Sequence, residues 1–156
     1  MINLLQYLTT NTVLKEPPNI LIVDDIPTNL TYLHVLLKGI EANLIEAESG
    51  LEALEKIEGM PLALAILDVQ MAGMDGFELA IKINRNRQTN SVPIIFLTAA
   101  FPNDEQIISG YEAGAVDYLI KPINRKVLIS KVNVFLMLFL QKQLLFLRIP
   151  CYKCCF

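Results

Sequence analysis

Metal-binding side chains other than carboxylates are almost missing from this chain. Its 156 residues hold one histidine, His34, and three cysteines, Cys151, Cys154 and Cys155, all inside the closing "CYKCCF". A zinc site needs four ligands, and His34 lies more than a hundred residues from that cluster, so zinc chemistry is not expected. One terminal cluster without a distant partner is no disulfide framework either; it reads as an unstructured end with reactive thiols. Long uncharged apolar runs are also missing, because Lys142 and Arg148 interrupt the oiliest segment before it reaches the roughly 18 residues of a membrane span. The opening "MINLLQYLTTNTVL" lacks the positive start and small-residue cleavage site of a secretory signal. It reads as a loosely packed leader, and the expected compartment is cytoplasmic. Acid is missing from the last stretch: residues 121 to 156 carry seven Lys and Arg and no Asp or Glu, which leaves the rest at a balance of -10. Seven cations spread among Leu and Phe do not make a phosphate-tracking patch, so nucleic-acid binding is not expected.

What the chain does have is core-building material. At 53% apolar and 19% charged, it is suited to one domain with buried strands. Short apolar runs, "NILIVDD", "ANLIEA", "LALAILDV", "VPIIFLTA" and "AVDYLI", alternate with segments of helical period. That alternation predicts an α/β fold with a parallel five-stranded sheet covered on both faces. Helix punctuation agrees. Pro27 opens a first helix through Leu30, Leu33 and Leu37, closed by Gly39. Ser49 and Glu52 have capping-box spacing, with Leu51, Leu54 and Ile57 expected inward on the second helix. Asp75 with Glu78 opens the third, Asn103 the fourth up to Gly114, and Asn124 a fifth with no obvious stop before Pro150.

In such sheets the working site lies beyond the carboxyl ends of the strands. The residues there are Asp24 and Asp25 after the first strand, Asp68 after the third, Thr98 after the fourth and Lys121 after the fifth. Any one polar strand end means little, since loops are polar. Three converging carboxylates, however, repel one another by roughly 1 to 4 kcal/mol per pair at surface-like dielectric, and need an offset. A divalent cation that prefers oxygen ligands and retains water supplies it, which points to Mg2+. With Lys121 and Thr98 added, the site suits a phosphoryl group, and one aspartate could take it up as an acyl phosphate.

"VDD", "ILDVQMAGMDGFEL", "IIFLTAA" and "DYLIKP", in this order, resemble the receiver domain of two-component response regulators, over about residues 19 to 140. The resemblance implies a flavodoxin-like, doubly wound sheet in strand order 2-1-3-4-5. It implies that Asp68 accepts the phosphoryl group from a phosphohistidine of a sensor histidine kinase or histidine phosphotransfer protein. Asp25, Asp68 and the backbone carbonyl of Gln70 would hold Mg2+, with Asp24 acting mainly through water. Thr98 and Tyr118 would be switch residues, Lys121 would clamp a phosphoryl oxygen, and the bond before Pro122 would be cis. Output would pass through the face of the fourth helix, fifth strand and fifth helix. An isolated receiver would perform only self-phosphorylation and slow self-dephosphorylation; it would belong to a kinase if part of a hybrid protein.

Three positions depart from the pattern or tune it. Ala72 stands where the family commonly has Pro, and Gln70 and Ala100 occupy variable positions. Tyr118 is otherwise read as a core aromatic, Gly76 as a backbone device in a turn, and His34 as a structural histidine. A haloacid-dehalogenase-like phosphatase also uses an Asp nucleophile, Mg2+, Thr or Ser and Lys, but needs an acid two residues further on, where Ile26 and Pro27 stand. A protein-binding module that is never phosphorylated is the remaining alternative. The fifth helix is apolar nearly all round from Val132 to Leu140, which points to a second copy or a downstream module, and less to a membrane surface. The expected division is a leader over 1–18, the receiver over 19–140, and a helix extension with the cysteine tail over 141–156.

Overall fold

The computed structural model describes residues 16–85 and 91–148; most of the leader and the cysteine tail fall outside them. Five strands, β1 (Asn19–Val23), β2 (Asn43–Ala47), β3 (Leu64–Asp68), β4 (Ile94–Thr98) and β5 (Ala115–Ile120), alternate with five helices. The helices are α1 (Pro27–Leu36), α2 (Gly50–Lys56), α3 (Gly76–Arg85), α4 (Asp104–Glu112) and α5 (Arg125–Arg148). All strand pairs are parallel, in the order β2-β1-β3-β4-β5. The expected fold is the one observed.

The continuous apolar runs follow from burial on both faces. Along β1, Ile20 and Ile22 point to one side with Ile66, Ile95 and Leu97, where α1 and α5 pack. Leu21 and Val23 point to the other, with Leu67, Phe96, Ala53 of α2 and Leu79 of α3. A strand buried on one face only would have alternated with polar residues.

The helix starts are set by side chains close in sequence. Ser49 Oγ accepts from Glu52 N–H at 3.1 Å, and Asp75 Oδ1 from Glu78 N–H at 2.8 Å. Asn103 and Gln106 close a full capping box on α4, and Asn124 Oδ1 accepts from Lys126 N–H at 2.9 Å. One expectation fails: Leu51 is 69% exposed, while Gly50, Ala53 and Ile57 are buried. The Ser49 cap starts the helix at Gly50, and the inward stripe then runs 50, 53, 57, with Leu51 one position round the helix.

α5 is divided along its length. Leu128, Val132, Leu136 and Leu140 are 0–2% exposed against the sheet. At about 1.5 to 3 kcal/mol for each fully buried side chain, this stripe fixes the first four turns to the domain. Val134, Met137, Leu138 and Leu145 lie on the other side, each more than 40% exposed. Arg125–Leu145 is long and apolar enough to cross a membrane by length and composition.

Candidate functional site

Parallel pairing brings the five strand-end positions to one edge. β1 stops at Val23, so Asp24 and Asp25 start the loop into α1, whereas Asp68 and Thr98 are the last residues of β3 and β4. Lys121 directly follows β5, and its N–H donates to the Thr98 carbonyl at 2.8 Å, holding the two strand ends together. Carboxylate oxygens of Asp24, Asp25 and Asp68 lie within 4.8 Å of one another. Among the described residues this is the one cluster of potential metal ligands of its kind.

Each carboxylate has its own surroundings. Asp24 is fully buried; its Oδ1 accepts from Ile26 N–H at 2.9 Å, and the Asn29 side-chain amide donates to both its oxygens. Asp25 is half-buried, and its Oδ2 accepts from the Ala72 N–H at 3.1 Å. Asp68 is buried, and its Oδ1 accepts from Lys121 Nζ at 3.1 Å; the same ammonium lies 3.4 Å from Asp24 Oδ2. Burial pushes the Asp68 carboxyl above its usual range; Lys121 opposes this, while Asp24 and Asp25 add to it. Burial alone would lower Lys121, but its bonds to Asp68 and the charge of Asp24 outweigh it and raise the net value. The aspartates therefore sit in a site short of positive charge, with one ammonium shared between two of them.

This donor set fits Mg2+. It offers hard oxygen ligands and excess negative charge, with no nitrogen or sulfur ligand in the cluster. Gln70 lies on the exposed loop two residues past Asp68. That loop turns closely at Gly76, whose N–H donates to the Val69 carbonyl at 3.0 Å. A Cβ at Gly76 would run into the Asp68 carbonyl oxygen and lie 3.0 Å from Val69 Cα, so the backbone itself excludes a side chain. The reading of Gly76 as a backbone device thus holds, and the device positions the Asp68 strand end.

The Thr98 and Tyr118 hydroxyls are engaged with backbone carbonyls rather than with the carboxylates. The Thr98 hydroxyl donates to the Ala100 carbonyl at 3.0 Å. The Tyr118 hydroxyl donates to the Gln106 carbonyl at 2.8 Å, and its ring packs 5.5 Å from Phe96. It fits over Gly110, where any Cβ would collide with it. Burial raises its pKa, with Tyr111 adding to the effect. The Lys121–Pro122 peptide is cis, as expected. Ile26 and Pro27 are exposed and, among the described residues, no fourth carboxylate joins the cluster, so the acid required by the phosphatase alternative has no counterpart there.

Two contributors escaped the sequence reading. Asn29 is four residues past Asp25, a spacing that puts it on the first turn of α1 facing back, yet among helix punctuation it looks like a capping residue. The Ala72 amide left no side-chain signal, because a backbone N–H belongs to every residue but proline.

A family model of the response regulator receiver domain matches residues 20–133. Over 118 residues the chain is 41% identical to a protein of Vibrio cholerae named "Probable cyclic di-GMP phosphodiesterase", covering 75% of the chain and 26% of that protein. It is 35% identical to the sensor histidine kinase GacS of Pseudomonas protegens, covering 78% of the chain and 13% of the kinase. The chain thus spans about a quarter or less of the length of these relatives. Among solved structures it resembles the signal receiver domain of an HD domain-containing protein from Pseudomonas fluorescens, with TM-score 0.73 and 26% identity over 83% of this chain and 94% of that one.

Proposed function

Because the chain belongs to the response regulator receiver family of two-component systems, we propose that Asp68 is its phosphoacceptor, loaded by the phosphohistidine of a sensor histidine kinase or histidine phosphotransfer protein. The observation that carries this reading is the cluster of Asp24, Asp25 and Asp68 with one shared ammonium, Lys121, at the carboxyl edge of the sheet.

The residues divide the work. Asp25 and Asp68, with the Gln70 carbonyl, are the Mg2+ ligands in this reading, and Asp24, whose oxygens already accept from protein donors, acts through water. Bound there, Mg2+ would neutralise the incoming phosphoryl oxygens and the carboxylates together. An Asp68 oxygen attacks phosphorus in line, the P–N bond to the kinase histidine breaks, and the imidazole keeps that electron pair. Lys121 then pairs with a phosphoryl oxygen instead of a bare carboxylate. Thr98 turns its hydroxyl from the Ala100 carbonyl to the new group, and Tyr118 follows by rotating inward from the Gln106 carbonyl. The α4, β5 and α5 face passes the change on. We place this work in the cytoplasm.

Acetyl phosphate tests the assignment without a kinase. Intact-mass spectrometry is expected to show one phosphoryl group added in Mg2+ and none in EDTA; no addition in Mg2+ would overturn the reading.

We further propose that the exposed side of α5 packs on a second copy or on a downstream module. Relatives whose receiver-like part is 26% or 13% of their length support this. Val127, Val134, Met137 and Leu138 are each more than 40% exposed; Val134 follows Val127 by seven residues, and Met137 and Leu138 follow Val134 by three and four, the spacing of a helix-pairing seam. Light scattering after size exclusion should give twice the chain mass at high concentration; a strict monomer with helix content intact removes the second-copy reading.

A further inference from the structure

Lys121 has two carboxylates to serve, and the shorter contact, 3.1 Å against 3.4 Å, goes to Asp68. Burial alone would favour the opposite choice. Asp24 is 0% exposed and Asp68 6%, and a more deeply buried charge gains more from a cation. Space does not prevent the change either, because a cavity of about 190 Å³ lies beside Asp24, lined by Asn29, Leu33, Leu97 and Lys121 among others.

Asn29 resolves the conflict. Its amide nitrogen lies 3.2 Å from Asp24 Oδ1 and 3.1 Å from Oδ2, and Ile26 N–H adds 2.9 Å to Oδ1. We propose that Asn29 is a positioning residue that supplies Asp24 with neutral donors and so leaves Lys121 directed at Asp68. Neutrality is the essential property. Lys or Arg at the same place would satisfy Asp24 equally but cancel a charge that attracts the divalent cation, whereas an amide leaves the cluster's net charge unchanged. The inference rests on the phosphoacceptor reading for its consequence in catalysis, but not for its geometry.

The test has two independent parts. Metal-free crystal structures of wild type and Asn29→Leu are expected to show Lys121 Nζ moved onto Asp24 and out of hydrogen-bond range of Asp68 in the variant. At saturating Mg2+, acetyl phosphate labelling per folded molecule should fall about tenfold, the loss of one charge-assisted hydrogen bond. In an Asp24→Asn background the same substitution should cost less than twofold, because Lys121 then has a single carboxylate to serve. Should Asn29→Leu not fold, Asn29→Ser, which reaches one oxygen at most, is expected to show a smaller shift in the same direction. A Lys121 that stays on Asp68 in the variant that folds, with an unchanged rate, overturns the proposal even if the melting temperature drops. Wild type that takes no label would sink the phosphoacceptor reading, while the lysine position would still judge Asn29.

Discussion

Asp68→Asn is expected to abolish phosphoryl uptake from acetyl phosphate and, in the absence of metal, to make the fold more stable. The first effect follows from chemistry: an amide oxygen is no nucleophile for phosphorus, and neither Asp24, fully buried and bonded, nor Asp25, tied to the Ala72 amide, is free to replace it. The second follows from charge. Three carboxylates meet beside one ammonium that pairs with only two of them, and removing the Asp68 charge relieves its repulsion with both Asp24 and Asp25. The pH dependence has a definite sign. Burial, with Asp24 and Asp25 adding to it, raises the folded-state pKa of Asp68 above the ordinary value of 3.8. The folded wild type therefore binds a proton more tightly than the unfolded chain, and loses stability as pH rises from 3.8 through the raised value. The advantage of Asp68→Asn should be full at neutral pH, shrink as pH falls through that window, and vanish below it. Lys121 does not blur this, because its raised pKa matters only above 10.5, where its contribution to stability is lost. Denaturant melts in EDTA at several pH values check the curve; a variant less stable than wild type at neutral pH would contradict it.

The fold was legible because each level of the sequence agreed with the next. Apolar runs too continuous for a one-sided sheet, separated by helices with Ser49, Asp75, Asn103 and Asn124 at their starts, allow little besides a doubly wound sheet. The acids and the lysine were legible because a parallel sheet puts every strand end on the same edge. Side-chain direction was less so. Hydrophobicity points Leu51 inward, but the inward stripe runs through Gly50, Ala53 and Ile57 and leaves Leu51 one position round the helix. Asn29 and the Ala72 amide were missed for a shared reason: both act through donors whose targets are carboxylates already chosen for another role. Periodicity reports which residues are buried, not which hydrogen bonds they complete. The place of Thr98 and Tyr118, one bonded to Ala100 and the other to Gln106, was equally invisible, because a strand end fixes a Cα and leaves the rotamer to its neighbours.

Lys121→Ala is the opposite perturbation, and the two variants together separate charge from nucleophile. Acetyl phosphate labelling should slow on the order of a hundredfold, the usual cost of removing one preorganised donor to developing oxygen charge. It should not vanish, because Asp68 remains. Metal-free stability should fall by about 1 to 3 kcal/mol, since Asp68 loses its 3.1 Å partner and Asp24 one of its donors. A divalent cation offsets the same carboxylates that the ammonium served, so Mg2+ should stabilise this variant most. The melting-temperature rise produced by Mg2+ should thus rank Lys121→Ala above wild type and wild type above Asp68→Asn, tracking the negative charge left uncompensated in each. A fold-derived rigidity effect would give all three the same increment. A different ranking, with Asp68→Asn gaining most, would mean that the cation binds elsewhere and that the three aspartates meet for another reason.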